Sequence, residues 1–148
     1  SVAMTGTIRS FDETMRDDIH ERVTTLAESI SRGSRAGCTV CIDKNYPVTV
    51  NDPALTEQMV PTLARVAGEG LRVVPKVTGS EDFSFFQKVV PGLFFFIGVV
   101  PAGHDPTKVA SNHSPHFYAD ESGFGLGVRA LAHLASDYLE QGAINARR

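Results

Sequence analysis

Several absences bound what this 148-residue chain can be. It has no long hydrophobic run: the longest, Leu93 to Val100 (LFFFIGVV), is far too short to cross a bilayer, so no membrane partner is expected. It has no large excess of charge of either sign, with a formal net of −3 and a pI near 5.9. Its Lys and Arg residues are scattered rather than striped, which argues against a nucleic-acid partner. No basic segment followed by an apolar stretch opens the chain, so a secretory signal is not expected and a cytoplasmic location is. Cysteine is scarce. Cys38 and Cys41 stand as C-T-V-C in a β-like segment, where they point to opposite faces, so neither a shared metal nor a disulfide follows. With no second pair to complete a zinc site, they read as packing residues of a reduced protein. Internal repeats and low-complexity tracts are lacking too.

What is present is an apolar content of 42%, ample for a core, in segments of changing period. Residues Ser1 to Arg9 alternate, with Val2, Met4 and Ile8 on one face, as in a half-buried strand. In FDETMRDDIHERVTTLAESISRG the apolar positions Met15, Ile19, Val23, Leu26 and Ile30 form one helical stripe. Asp12 and Glu13 open that helix and Gly33 is placed to end it. CTVCIDKNYPV alternates again, so the first fifty residues or so predict strand, helix, strand.

Asn51-Asp52-Pro53 signals a new helix: a capping residue, then proline at the first helical position. Leu55, Met59, Leu63 and Val66 make its inward stripe, and Gly68 and Gly70 stop it. LRVVPKV reads as a short strand, and Ser80 is placed to cap a brief helix through EDFSFFQKVV. LFFFIGVV is apolar at nearly every position, as in a central strand covered on both faces. A last helix over about 123–139 would turn Phe124, Val128, Leu131, Ala135 and Tyr138 inward. The whole predicts an α/β chain whose architecture changes near residue 50. Between the last strand and helix lies SNHSPHF, two imidazoles around a Ser-Pro bend. A histidine in such a turn can ligate a metal, shuttle a proton or simply be polar surface, and these residues alone leave the three open.

Five segments in order narrow the choice: GTIRSFD, YPVTVNDPAL, GSEDFSFF, PGLFFFIG and HSPHF. Together they resemble the dinuclear metallopeptidase superfamily of the aminoacylases, acetylornithine deacetylase and related carboxypeptidases. The nearest branch is that of the hippurate hydrolases and auxin-conjugate amidohydrolases. The resemblance spans essentially the whole chain but implies the second half of such an enzyme. Residues 1–49 would be the latter part of an inserted α+β lid (strand-helix-strand) that also makes a homodimer, and residues 50–148 the C-terminal part of an αβα catalytic domain. Members of the superfamily carry most metal ligands and a general-base glutamate in an earlier segment, so no catalytic residue falls in this chain. After Asp120-Glu121 the chain reads SGFGLG where relatives more often have one glycine, which softens the start of the last helix.

The resemblance implies roles at five positions. His113 matches the last metal ligand, with a turn fixed by Pro115 to hold its direction. Arg9 is placed to grip a substrate carboxylate, for which a guanidinium fork is well matched. Gly79, Ser80 and Glu81 would line the substrate wall, the glycine letting backbone approach. The implied parent enzyme hydrolyses small N-acyl amino acids with two divalent metals, zinc or else manganese or cobalt, which polarise the carbonyl and activate water. This chain alone would hold no metal tightly and would be inactive. The rival reading is a non-catalytic remnant that serves only in dimerisation or partner binding.

Overall fold

A computed structural model describes residues 1–145. They form helices joined by irregular segments, and among the described residues there is no β-strand or sheet. This corrects the expected α/β class, with both its strand-helix-strand lid and its αβα domain. Residues 1–9, 38–44, 71–77 and 93–100 lie outside regular structure. The physical reason is that alternation reports which face each side chain takes, whereas a strand exists only where a neighbour's backbone supplies a ladder of hydrogen bonds. The described residues supply none. LFFFIGVV is not covered on both faces either: Phe96 and Val100 are exposed and the other apolar side chains of the run are half-buried.

The four α-helices are α1 (Glu13–Gly33), α2 (Pro53–Ala67), α3 (Phe83–Gln87) and α4 (Phe124–Asn145). Single 3-10 turns, Gly68–Gly70 and Glu121–Gly123, follow α2 and precede α4. The chain divides into two compact units. Unit 1 comprises Ser1–Asn51 and Pro75–Phe94, and unit 2 comprises Asp52–Val74 and Phe95 onward.

In unit 1, α1 begins where Asp12, in an extended conformation, accepts the Met15 N–H at 2.7 Å on Oδ1. It ends at Gly33, as the sequence suggested, with Ser34 as the C-cap. Arg35 takes the left-handed conformation at φ 55°, and the Ala36 N–H reaches back to the Ser31 carbonyl at 2.9 Å. Of the expected inward stripe of α1 only Ile19 is half-buried: Met15, Val23, Leu26 and Ile30 are exposed, Leu26 at 60% and Ile30 at 68%. The half-buried face runs through Glu13, Arg16, His20, Thr24 and Ala27. α3 is capped not by Ser80 but by the backbone at Asp82, with no side-chain cap. Its Ser84 is fully buried, with Oγ donating to the Glu81 carbonyl at 2.6 Å.

Unit 2 is built on α2 against α4. Asp52 caps α2 through the Leu55 N–H at 2.8 Å, Pro53 opens it, and Gly68 closes it at φ 54°. Met59, Leu63 and Ala130 form the apolar core. Beside them runs a polar seam in which Thr62 and Arg65 both donate to the Asp137 carboxylate, and Gln58 donates to Gln141 at 2.7 Å. The inward face of α4 is one step round from the expected one. Phe124, Val128, Leu131, Ala135 and Tyr138 are exposed, while Gly127, Ala130, Leu134 and Asp137 turn inward. Small residues win that face because residues 97 and 98 approach it closely. A Cβ on Gly123 would stand 2.9 Å from the Gly98 carbonyl oxygen, and one on Gly127 would touch Ile97 at 3.5 Å. Of the glycines in SGFGLG, Gly123 thus serves close packing, while Gly125 has only the tip of Arg129 near it.

Candidate functional site

Four of the five candidate residues fall in unit 1 and the structure brings them together. Arg9 is exposed and donates from Nη1 to the Thr78 carbonyl at 2.6 Å. Thr78 leads directly into Gly79, Ser80 and Glu81, so the guanidinium is anchored at the start of that segment. Gly79 and Ser80 are exposed, and a Cβ on Gly79 would meet nothing within 4 Å. Glu81 is half-buried, and its backbone carbonyl is held by both the N–H and the hydroxyl of Ser84, at 3.2 and 2.6 Å. A cation with donors to spare beside a small-residue segment suits an anionic oxygen ligand.

His113 belongs to unit 2. It is exposed, within two successive turns: the Ser114 N–H bonds the Ser111 carbonyl at 2.9 Å, and the Phe117 N–H bonds the Ser114 carbonyl at 3.0 Å. The Ser114 hydroxyl also accepts the His116 N–H at 3.2 Å. Both imidazoles are exposed in this frame, which sets their backbone direction without enclosing them. Among the described residues no group of three or more His, Cys, Asp or Glu side chains could hold a metal ion.

A shallow groove in unit 1, lined by Phe11, Asp12, Glu13, Val48, Ser84 and Lys88 among others, meets the candidate residues only through Ser84, which bonds the Glu81 carbonyl. Two of its charges are paired, Lys88 Nζ lying 3.2 Å from Glu13 Oε1, and Asp12 caps α1. In the loop before His113, Asp105 turns to its own backbone, accepting from the Thr107 N–H and hydroxyl at 2.9 and 2.7 Å. Those bonds hold its carboxyl below the usual range.

The family model described as peptidase family M20/M25/M40 matches residues 7–137. The chain belongs to this family. As an M20 chain it is 35% identical over 133 residues to thermostable carboxypeptidase 2 of Saccharolobus solfataricus, covering 89% of this chain and 33% of that protein. It is 34% identical over 137 residues to YhaA of Bacillus subtilis (strain 168), whose name places it with the amidohydrolases; the match covers 90% of this chain and 33% of YhaA. It is 31% identical over 148 residues to the IAA-amino acid hydrolase ILR1-like 4 of Arabidopsis thaliana, covering 94% of this chain and 32% of that protein. The M20 chain thus spans about a third of the length of the curated relatives it matches. No solved structure matches it. The family is in general dependent on divalent metals. Among the described residues no helix is long and apolar enough to cross a membrane.

The residue that sequence reasoning missed is Asn51, read only as part of a helix cap. Its side chain instead bonds both backbone groups of Phe94. No local signal could have found this, because the partner lies 43 positions away.

Proposed function

We propose that this chain is a portion of a metal-dependent amidohydrolase that cleaves the amide bond of small N-acyl amino acids, and that it is inactive on its own. The observation that carries the reading is the Arg9 contact with Thr78, which sets an always-charged fork beside Gly79, Ser80 and Glu81. An N-acyl amino acid has one free carboxylate, which is the group such a fork receives bidentately. Membership of the M20 family and the relative named as an IAA-amino acid hydrolase support the same substrate class. In this reading His113 is one metal ligand among several, the rest being supplied by the parent protein. Zinc, manganese and cobalt are the candidate metals.

The test is made on the parent protein. Arg9→Lys is expected to raise KM for substrates with a free carboxylate by about tenfold, with a smaller effect on kcat, because one bidentate contact is lost. Equal losses on the matching esters would show that Arg9 does not read a carboxylate and would overturn the assignment.

A second reading rests on α1, whose exposed Met15, Val23, Leu26 and Ile30 make an uncovered apolar stripe. Stripes of this kind mark interaction surfaces. Residues 1–49 would then act in homodimerisation or partner binding, with or without catalysis.

A further inference from the structure

Unit 1 lacks the apolar core that would hold its two chain segments together. Among the described residues the buried apolar side chains, Met59, Leu63 and Ala130, all belong to unit 2. In unit 1 the buried residues are Ser84 and Gly92. Residues 75–94 must be joined to residues 1–51 by other contacts. Arg9 reaches Thr78, Lys88 reaches Glu13, and the rings of Tyr46 and Phe85 lie 5.9 Å apart. These contacts use exposed, long or rotatable side chains, which water screens and entropy weakens.

Asn51 is different. Its Nδ2 donates to the Phe94 carbonyl and its Oδ1 accepts the Phe94 N–H, both at 2.7 Å, from a half-buried position. A planar amide presents donor and acceptor side by side, so one short side chain pairs with both backbone groups of a single residue as a neighbouring strand residue would. Gln87 backs the pair. Its Oε1 accepts the Val50 N–H at 3.1 Å, while its Nε2 lies 3.4 Å from both Asn51 Oδ1 and the Gly92 carbonyl. Glycine is required at 92 to admit it: a Cβ there would stand 2.7 Å from Gln87 Cγ and 3.2 Å from the Phe83 ring. Asn51 and Phe94 are also the last residues of the two stretches that compose unit 1.

We propose that Asn51 is the positioning residue of unit 1. By clasping Phe94 it keeps residues 75–94 in register with residues 1–51, and so keeps Gly79, Ser80 and Glu81 at the anchored guanidinium of Arg9. Only the consequence for substrate rests on the amidohydrolase reading; the clasp itself does not.

Residue-resolved amide hydrogen exchange on the 148-residue chain, without substrate, tests it. In Asn51→Ala the Phe94 amide is expected to exchange about tenfold faster or more, and the Ser84 amide, which bonds Glu81, to accelerate with it. Asn51→Asp keeps an acceptor but has no donor at neutral pH, so a smaller acceleration at both amides is expected. Gln87→Ala should expose the Val50 amide and leave Phe94 protected. Wild-type exchange at Phe94 or at Ser84 in Asn51→Ala overturns the proposal. Should that variant not fold, Asn51→Asp decides by the same two amides. Because no substrate is present, failure here leaves the amidohydrolase reading standing, and failure of the Arg9 kinetics leaves the clasp standing.

Discussion

The carboxylate of Glu13 accepts the backbone N–H of Val48 at 2.9 Å, joining the first turn of α1 to the segment that ends at Asn51. The Val48 N–H, helped by Lys88 and Arg16 and opposed by burial, holds the Glu13 carboxyl below its ordinary value of 4.5. A carboxyl depressed on folding stabilises the protein above its unfolded pKa, and that contribution is lost as pH falls through the folded value. Glu13→Gln is therefore expected to cost about 0.5–1 kcal/mol near neutrality, given the side chain's partial exposure. The difference from wild type should shrink below pH 4.5. Urea unfolding at a series of pH values measures it, and a difference that does not change with pH would remove Glu13 from the account.

Glycines 123 and 125 are two positions apart and should respond oppositely to alanine. At 123 the new methyl meets the Gly98 carbonyl, a backbone atom that cannot swing aside, so Gly123→Ala should destabilise by about 1–3 kcal/mol. At 125 the nearest atom is the mobile tip of Arg129 at 3.6 Å. Gly125→Ala should be neutral or stabilise by up to about 1 kcal/mol through helix propensity. Thermal melts followed by circular dichroism separate the two.

Arg35 carries a left-handed backbone without the residue suited to it. Arg35→Gly should stabilise the chain by about 0.5–1 kcal/mol, the relief of the Cβ clash outweighing the entropy of the glycine. A loss of stability would mean that the Arg35 side chain contributes more than its backbone costs.

In the parent protein, His113→Ala should lower bound metal and abolish hydrolysis, whereas His116→Ala should keep most of both. Metal analysis of the purified variants alongside rates decides. Full metal content in the His113 variant would show that this imidazole is not a ligand.

The exposed stripe on α1 predicts that the isolated chain self-associates, more so at higher concentration and less so in Leu26→Glu. Light scattering over a concentration series reads this directly. A monomer at every concentration would show that the stripe needs no cover.

The helices were legible in the sequence because their signals are local. Asp12, Asp52-Pro53 and Gly68 act through groups within four residues, and each stands at a helix terminus. The inward faces of α1 and α4 were not legible. Hydrophobic spacing favoured Phe124, Val128 and Leu131, but close approach of residues 97 and 98 selected the small side chains one step round. The strands failed for a related reason, since alternation carries no information about a pairing partner. Of the candidate residues, Arg9 and 79–81 were singled out separately in the sequence, yet the Arg9 contact with Thr78 could not be, as nothing in either segment encodes the other.

The interleaving of unit 1 sets a timetable for synthesis. When Asn51 leaves the ribosome, the Phe94 it will clasp has not been made, and the residues of α2 must be added before residue 75 begins the second stretch. At about 5–20 residues per second, the first stretch waits a few seconds without residues 75–94 to bond. A polypeptide released during that interval would carry a complete α1 and an Asn51 with nothing to hold, so unit 1 is an all-or-none product of translation through Phe94.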